Sequence, residues 1–240
     1  MDRNTPIPQS ASLTAIHHGM IATGNHTDSD SLRGAPPFTQ GGLIIGITGG
    51  SGSGKTTLLN LIREAGGLVL DCDAIYHELL QTDAGMLSAI EKQFPGTVEN
   101  GILNRKKLGA IVFADGNALL RLNTITHSAV KKEVLRRLEA KPGLAAIDAI
   151  ALFEGGLAEI CDITVAVTAP MEQRIARLMA RDGISEDYAR SRITAQHDDR
   201  WFRQCCDVTL ENNGDLSQYA KDCLAFLQEQ GIMNPETERS

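Results

Sequence analysis

Short runs of apolar residues alternate with helical patterns along most of the chain. A continuous apolar run of a few residues predicts a strand buried on both faces of a parallel sheet. Five such runs occur, at residues 43–48, 68–70, 144–150, 163–167 and 208–210. After the first run, Leu58, Leu59, Leu61 and Ile62 recur at the spacing of an amphipathic helix. This alternation predicts an α/β fold in three layers, with helices on both faces of a mostly parallel five-stranded sheet.

Two regions interrupt this simple alternation. Residues 76–140 have an almost entirely helical pattern, broken by turn signals at Pro95-Gly96 and Asn100-Gly101, which predicts an inserted helical lobe. Further on, helical patterns cover residues 170–181 and 185–196. Pro170 is suited to begin the first of these helices and Gly183 to end it. We interpret residues 171–203 as a helical lid region.

The two ends of the chain have a different composition. Residues 1–41 are rich in Thr, Ser, Pro, Gly and His and show neither helical nor strand periodicity. They also lack the basic start and continuous apolar core of a secretory signal. We predict a disordered N-terminal extension over residues 1–41, one main domain over residues 42–231, and a C-terminal tail over residues 232–240.

Composition and charge exclude several classes of partner. The net charge is −7, which gives no overall attraction to nucleic acid or to an anionic membrane surface. The 5 cysteines show neither CxxC nor Cys/His metal spacing, as expected of thiols in a reducing compartment. No apolar run approaches the roughly 20 residues that cross a bilayer. These features predict a cytoplasmic protein without nucleic-acid or membrane partners, either a monomer or a small homo-oligomer.

The segment GGSGSGKT, residues 49–56, lies between the first predicted strand and the first predicted helix. It fits G-x-x-x-x-G-K-[ST], the phosphate-binding loop, in the strand–loop–helix context that this motif requires. The glycines let backbone N–H groups turn toward one anion, and the helix N-terminus adds partial positive charge. This motif predicts a P-loop NTPase fold and an ATP site formed by Gly49, Gly50, Ser51, Gly52, Ser53, Gly54, Lys55, Thr56 and Thr57. We expect Lys55 to contact the β- and γ-phosphates and Thr56 to bind Mg²⁺.

A phosphate loop occurs in kinases, GTPases and motor ATPases, and other residues separate these classes. The chain has no N-K-x-D motif of the kind that GTPases use to recognise their base. A small-molecule kinase needs a carboxylate near the γ-phosphate to accept the proton of the acceptor hydroxyl. Asp71 and Asp73 follow the second predicted strand, on one face of an extended segment, at the sheet edge where such folds bind ligands. Either could be catalytic, and either could instead cap the next helix.

Arginines are concentrated on the predicted lid helices. Arg174, Arg177 and Arg181 share one face of the first helix, and no lysine occurs in residues 169–203. The planar guanidinium group suits phosphate oxygens and the charge that develops during phosphoryl transfer. A solvated helix face is the alternative for any single arginine. We interpret the set as a lid that closes over ATP, with Arg181 as its catalytic member.

Several segments together resemble the dephospho-CoA kinase family. The matching segments are GITGGSGSGKTT, DCDAIYHELL, NGILNRKKLGAIVFAD, LNTITHSAVKKEV, AIDAIALFE, RLMARDGISEDYARSRITAQ and CDVTLENNG, in the order found in that family. The resemblance extends over about residues 43–227. The phosphate loop is shared with many enzymes, whereas the DxD after the second strand, the G-x-L-x-R-x-x-L segment and the final N-x-G are more specific.

The resemblance implies phosphorylation of the ribose 3′-hydroxyl of dephospho-CoA by ATP, the last step of coenzyme A synthesis. Asp73 resembles the family's proposed general base, with Asp71 beside it. By the same resemblance, Arg105 in the helical lobe and His127 contact dephospho-CoA, and Asn213 lies near the adenine of ATP. The chain has His127-Ser128 where the family usually has His-Pro.

The resemblance also implies a mechanism. Mg²⁺ bridges the β- and γ-phosphates, with Thr56 as one ligand and Asp148 close to the ion. Lys55 and the lid arginines balance the charge on the transferred group, while Asp73 accepts the hydroxyl proton. Two rival functions remain: a P-loop kinase acting on another nucleoside or nucleotide, and a nucleotide-binding regulator that is not a kinase.

Overall fold

A computed structural model describes residues 42–233 of the protein. Its centre is a five-stranded sheet with the strand order β2-β5-β1-β6-β7, in which all neighbouring pairs are parallel. The strands are β1 Ile44–Thr48, β2 Leu68–Asp71, β5 Ala145–Asp148, β6 Ile163–Thr168 and β7 Val208–Glu211. Each was predicted by an apolar run, so the expected parallel sheet is confirmed. The predicted disordered extension lies outside the described residues.

Helices account for most of the remaining described chain. They are α1 Lys55–Glu64, α2 Cys72–Thr82, α3 Ala84–Gln93, α4 Arg105–Ala114, α5 Gly116–Ala140, α6 Met171–Asp182, α7 Glu186–Thr194, α8 Asp199–Cys205 and α9 Leu216–Glu229. A short 3₁₀ helix spans Ala158–Ile160. None of the helices in residues 42–233 is long and apolar enough to span a bilayer. The cytoplasmic location stays a prediction.

Two apolar clusters cover the faces of the sheet, which confirms the three-layer architecture. On one face, Ile45 and Ile47 of β1 pack with residues of α1 and α9. On the other face, Ile44 and Ile147 pack with residues of α2, α3, α4 and α5. Consecutive residues of a strand point to opposite faces, which explains why β1 contributes to both clusters. Ile232 and Met233, in the predicted tail, pack against the first cluster.

The segment between β2 and β5 is helical, as predicted, with one addition. Val98–Glu99 (β3) and Ile102–Leu103 (β4) form a two-stranded antiparallel hairpin. The sequence predicts only a turn there, because strands of two residues are too short to show alternation. The hairpin turn is Asn100-Gly101, and both residues have positive φ angles, 52° and 75°. Asn-Gly is the preferred pair for such a turn.

The predicted lid helices pack against each other around a small core of their own. α6 begins after Pro170 and ends at Gly183, where φ is 65° in the left-handed region. Both boundaries agree with the prediction. Ile175, Leu178, Ala189 and Ile193 form an apolar cluster between α6 and α7 that is separate from the two clusters on the sheet.

Candidate functional site

The carboxyl ends of three adjacent strands form one cleft. The phosphate loop follows β1, Asp71 ends β2, and Asp148 ends β5. Asp71 and Asp148 are paired in the sheet register, so their side chains leave neighbouring strands at the same level. The cleft has a volume of about 730 Å³ and is lined by the phosphate loop, by these two aspartates and Asp73, and by α6 and α7. This is the sheet edge at which open parallel α/β folds bind ligands.

α1 differs from most of the described helices at its N-terminus. In residues 42–233, an Asp, Asn or Ser side chain caps α2, α3, α4, α5, α7, α8 and α9. α1 follows Gly54 and has no side-chain cap within the described chain. The first N–H groups of a helix need acceptors and carry partial positive charge. A phosphate bound in the cleft supplies such an acceptor.

Side chains from distant elements hold the carbonyl groups of the loop. Arg177 on α6 donates to the carbonyl oxygens of Gly52 and Ser53 at 3.1 and 3.2 Å. Asn212, just after β7, donates from Nδ2 to the Ser53 carbonyl at 2.9 Å, and Tyr219 donates to the Gly54 carbonyl at 3.3 Å. In a trans peptide the C=O and the next N–H point in opposite directions. Fixing the Ser53 and Gly54 carbonyls therefore also fixes the directions of the following N–H groups, those of Gly54 and Lys55.

Two glycines allow this close packing. An added Cβ at Gly50 would collide with the Arg174 guanidinium group. At Gly54, φ is +103°, and an added Cβ would collide with the Asn212 side chain. Gly54 therefore needs both the left-handed backbone and the absent side chain that only glycine supplies. The glycines of the motif therefore make room for the side chains that support the loop, in addition to letting an anion approach its backbone.

Lys55 and the oxygen groups beside it suit a nucleotide with its metal ion. Lys55 Nζ donates to the Gly49 carbonyl at 3.0 Å and lies 3.7 Å from Asp148 Oδ1. The exposed Thr56 hydroxyl lines the same cleft. In the described part of the chain, no group of three or more His, Cys, Asp and Glu residues could hold a metal ion. One hydroxyl and one carboxylate fit Mg²⁺, which takes few protein ligands and completes its shell with substrate phosphates and water.

The two aspartates after β2 have different local structures. Asp71 caps α2, because its Oδ1 accepts hydrogen bonds from the N–H groups of Asp73 and Ala74 at 2.9 and 3.0 Å. Asp73 lies in the first turn of α2. The predicted extended segment is therefore wrong: the helix begins at Cys72, since Asp71 supplies the cap. Both carboxylates still line the cleft.

Cys72 lies between these two aspartates, and three nearby carboxylates act on the pKa of its thiol. Burial raises the pKa of its thiol well above the ordinary value, and the negative charges of Asp148, Asp73 and Asp71 raise that pKa further. A thiolate would lie in a buried site close to three carboxylates. The thiol is therefore protonated at neutral pH.

The arginines of the predicted lid divide into two groups. Arg174 is only 4% exposed and contacts the loop backbone, so it supports the loop and is not a lining residue of the cleft. Arg181 lines the cleft together with Arg177 and Arg192, and its catalytic role stays a prediction. Asp182 accepts hydrogen bonds from Arg181 Nε at 2.7 Å and from Arg192 Nη1 at 2.9 Å. These ion pairs lower the pKa of Asp182, with Arg181 as the largest cause.

Sequence relatives of this chain carry one consistent description. A dephospho-CoA kinase from Carboxydothermus hydrogenoformans is 34% identical over 191 residues, covering 77% of this chain and 93% of that protein. The dephospho-CoA kinase from Syntrophotalea carbinolica is 35% identical over 193 residues, covering 77% and 90%. The sequence model of the family described as Dephospho-CoA kinase matches residues 43–218. This chain belongs to the dephospho-CoA kinase family.

A solved structure at similar sequence identity shares the fold of this chain. The crystal structure of TT1252 from Thermus thermophilus matches with a TM-score of 0.67 at 34% identity, covering 79% of this chain and 98% of that chain. Membership of the dephospho-CoA kinase family makes this protein a kinase that transfers phosphate from a nucleotide to an alcohol group of a small molecule. The resemblance found in the sequence is thereby confirmed, and so is the P-loop fold.

Arg105 and His127, which the family resemblance assigns to acceptor binding, do not line this cleft, whereas Asp73 does. Arg105 is exposed at the start of α4, where its charge acts on the buried Tyr76 phenol. His127 lies on α5 and is hydrogen-bonded to the backbone of Glu154, after β5; burial lowers the pKa of its imidazole. Their roles in binding dephospho-CoA stay predictions.

Asn213 does not line the cleft either; its side chain donates to Glu211 at 2.9 Å. Its role near adenine stays a prediction, because no contact within the described residues tests it. The neighbouring Asn212 is the residue that contacts the phosphate loop. Asn212 was not predicted as a site residue, although it is the first residue of the N-x-G motif. Gln196, the last residue of the segment RLMARDGISEDYARSRITAQ, was not predicted either. Their positions in family motifs were the available signals.

Proposed function

We propose that this member of the dephospho-CoA kinase family transfers the γ-phosphoryl group of ATP to the ribose 3′-hydroxyl of dephospho-CoA in the cleft at the ends of β1, β2 and β5. The observation that carries this assignment is the uncapped N-terminus of α1 facing a cleft that Asp71, Asp73 and Asp148 also line. The first feature suits the phosphates of ATP, and the second provides a carboxylate for the acceptor hydroxyl.

The loop and the residues around it bind and orient the triphosphate. The N–H groups at the start of α1 contact the phosphate oxygens, and Lys55 leaves the Gly49 carbonyl to contact the β- and γ-phosphates. Thr56 and Asp148 would hold Mg²⁺, which would neutralise charge on the phosphate oxygens. Arg177, Arg181 and Arg192 also line the cleft. Their guanidinium groups stabilise the charge of the transferred group and exclude water.

Asp73 accepts the proton of the ribose hydroxyl, and Asp71 sets the position of Asp73. The carboxylate of Asp71 is engaged by two N–H groups of the first turn of α2, so its oxygen is committed to the helix. Asp73 lies in the first turn of α2 and lines the same cleft, but it does not cap the helix. The proton passes to the Asp73 carboxylate as the hydroxyl oxygen bonds to phosphorus and ADP departs.

Acceptor-dependent release of ADP tests the proposal. The full-length protein is incubated with ATP and Mg²⁺, with and without dephospho-CoA, and ADP is followed in a coupled assay. We expect ADP release to need dephospho-CoA and the product to carry a new 3′-phosphate by mass spectrometry and ³¹P NMR. Parallel incubations with adenosine and AMP as acceptors test the rival kinase function. ATP binding without release of ADP for any of these acceptors would contradict the proposal and favour a regulator.

A further inference from the structure

Ser51 of the phosphate loop has all three of its polar groups held by side chains from the α6–α7 region. Its N–H donates to Gln196 Oε1 at 2.9 Å, and its hydroxyl accepts from Gln196 Nε2 at 2.8 Å. Its carbonyl accepts from Arg174 Nε at 2.9 Å. Backbone groups of most loops bond to neighbouring backbone or to water. This arrangement instead fixes one loop residue from outside the loop.

Gln196 is built into the protein interior for this contact. It follows α7, is only 8% exposed, and lies 145 positions from Ser51 in the sequence. Arg174 Nη2 also donates toward Gln196 Oε1, at 3.4 Å. Because two donors face the same oxygen, the amide group has one favourable orientation, with Nε2 directed at the Ser51 hydroxyl.

The contact determines which N–H groups of the loop face the cleft. The N–H of Ser51 is bonded to Gln196, so it is directed away from the phosphate site. The Ser51 carbonyl is bonded to Arg174, so the next N–H, that of Gly52, points in the opposite direction within the peptide plane. Gly52 lines the cleft. Gln196 and Arg174 together therefore set the peptide planes on both sides of Ser51.

Ser51 contacts residues at both ends of the predicted lid. Arg174 is on α6, at the start of the helical pair, and Gln196 comes directly after its second helix. Arg174 also contacts Asp199 of α8, with Nη1 3.2 Å from Oδ1. The two helices meet each other through a separate apolar cluster. A displacement of Ser51 therefore acts on both ends of the helical pair at once.

We propose that Gln196 is a positioning residue for ATP binding, which holds Ser51 so that the phosphate loop and the α6–α7 pair keep one fixed relative placement. This inference rests on the proposed ATP site. Gln196 lies outside the cleft lining and acts through Ser51. Its loss weakens the binding of ATP more than that of dephospho-CoA, because the loop amides lose their orientation while the acceptor side keeps its contacts.

The test uses Gln196→Met, which keeps the length of the side chain and removes its hydrogen bonds. We expect the Kd of ATP, measured by titration calorimetry on the full chain, to rise about 10- to 100-fold, because a buried N–H loses its partner. The KM for dephospho-CoA should change by less than about twofold. Gln196→Glu keeps an acceptor for the Ser51 N–H beside the cationic Arg174, and it should restore the Kd to within about fivefold of the native value.

Gln218→Met is the matched control, because Gln218 is exposed on α9 and its amide donates to Asp222 at the surface. This control should bind ATP like the native chain. Native ATP affinity in Gln196→Met, or an equal loss of affinity for ATP and for dephospho-CoA, would overturn the inference.

A second variant covers the case in which Gln196→Met does not fold. Ser51→Ala removes only the hydroxyl partner of Gln196, and it should raise the Kd of ATP about threefold, while native affinity would overturn the inference. Because ATP binding is measured without an acceptor, the outcome is separable from the proposed function. A native chain that binds ATP without phosphorylating dephospho-CoA contradicts the function alone.

Discussion

The ATP side and the acceptor side of this protein are organised differently. Around the phosphate loop, buried and half-buried side chains from α6, β7 and α9 hold successive carbonyl groups in place. On the acceptor side, the expected residues Arg105 and His127 lie on different helices and outside the cleft. The contacts around the loop hold it in one arrangement without a ligand, whereas the predicted acceptor residues Arg105 and His127 are not brought together at the cleft. Preorganisation of this kind lowers the free-energy cost of binding.

The largest effect is expected from Lys55→Ala, at the centre of the preorganised half. Removing the ammonium group leaves the charge on the transferred phosphate uncompensated, so kcat should fall by about 10²–10³-fold or more. ADP release in the coupled assay measures it. Lys221→Ala on the exposed face of α9 is the control and should retain native kcat. Near-native turnover by Lys55→Ala would show that the loop lysine is dispensable.

The second largest effect on kcat is expected at the aspartates after β2, and it differs between Asp73 and Asp71. Asp73→Asn should lower kcat by about 10²–10⁴-fold, because an amide cannot accept the hydroxyl proton. Calorimetric ATP affinity should stay close to native. Asp71→Asn should cost much less, because asparagine also caps helices well.

A larger loss of kcat in Asp71→Asn than in Asp73→Asn would identify Asp71 as the base. It would also show that the capping contacts of Asp71 can be replaced. Circular dichroism of both variants controls for loss of α2. If Asp73→Asn lowered the affinity for ATP and left kcat unchanged, Asp73 would be a residue that binds ATP and not the base for the acceptor hydroxyl.

A smaller effect is expected on the acceptor side. Arg105→Ala should raise the KM for dephospho-CoA by about tenfold and leave the KM for ATP unchanged, because one charge-assisted contact to an anionic acceptor is lost. Steady-state kinetics with each substrate varied in turn measures this. Arg121→Ala is the control, since Arg121 is exposed on α5 and pairs with Asp115. An unchanged KM for dephospho-CoA would place the acceptor elsewhere on the lobe.

The smallest effect concerns the stability of the helical lobe. Hydrogen bonds from Arg136 and Arg137 lower the pKa of Glu133 from its ordinary 4.5 to about 2. A carboxyl group with a lowered pKa in the folded state stabilises the protein above its unfolded pKa, and that contribution is lost as the pH falls from about 4.5 toward 2. Glu133→Gln should cost about 0.5–1 kcal/mol at pH 7, since solvent screens this surface network.

Urea unfolding of the native chain and of Glu133→Gln at pH 7, 5 and 4 measures this contribution. The difference in the free energy of unfolding between the two proteins should be nearly the same at pH 7 and pH 5 and should begin to shrink at pH 4. A difference that grows on acidification would contradict the lowered pKa.

The sequence predicts what neighbouring residues determine and misses what distant residues determine. The strands, the helix boundaries at Pro170 and Gly183, and the phosphate loop all follow from local patterns, and the structure has each of them. The extended segment after β2 was predicted wrongly because side-chain alternation cannot reveal that Asp71 caps a helix beginning at the next residue.

The supporting residues of the loop could not be predicted from local patterns. Gln196, Asn212 and Tyr219 contact residues that are 145, 159 and 165 positions away. Only the folded sheet brings β7 and the end of α7 beside the loop. Buried amide and phenol groups in these places look like ordinary polar residues in the sequence, so their function is visible only from the contacts.

Cys72 has a consequence for the product chemistry of a dephospho-CoA kinase. Coenzyme A ends in a reactive thiol, and its oxidised forms exchange with protein thiolates to give mixed disulfides. Such exchange requires the protein sulfur to be ionised and accessible. Cys72 is 2% exposed, and its acidity is suppressed by burial and three carboxylates. The cysteine between the two aspartates is therefore a buried, protonated thiol, the form least able to exchange with a disulfide that enters the cleft.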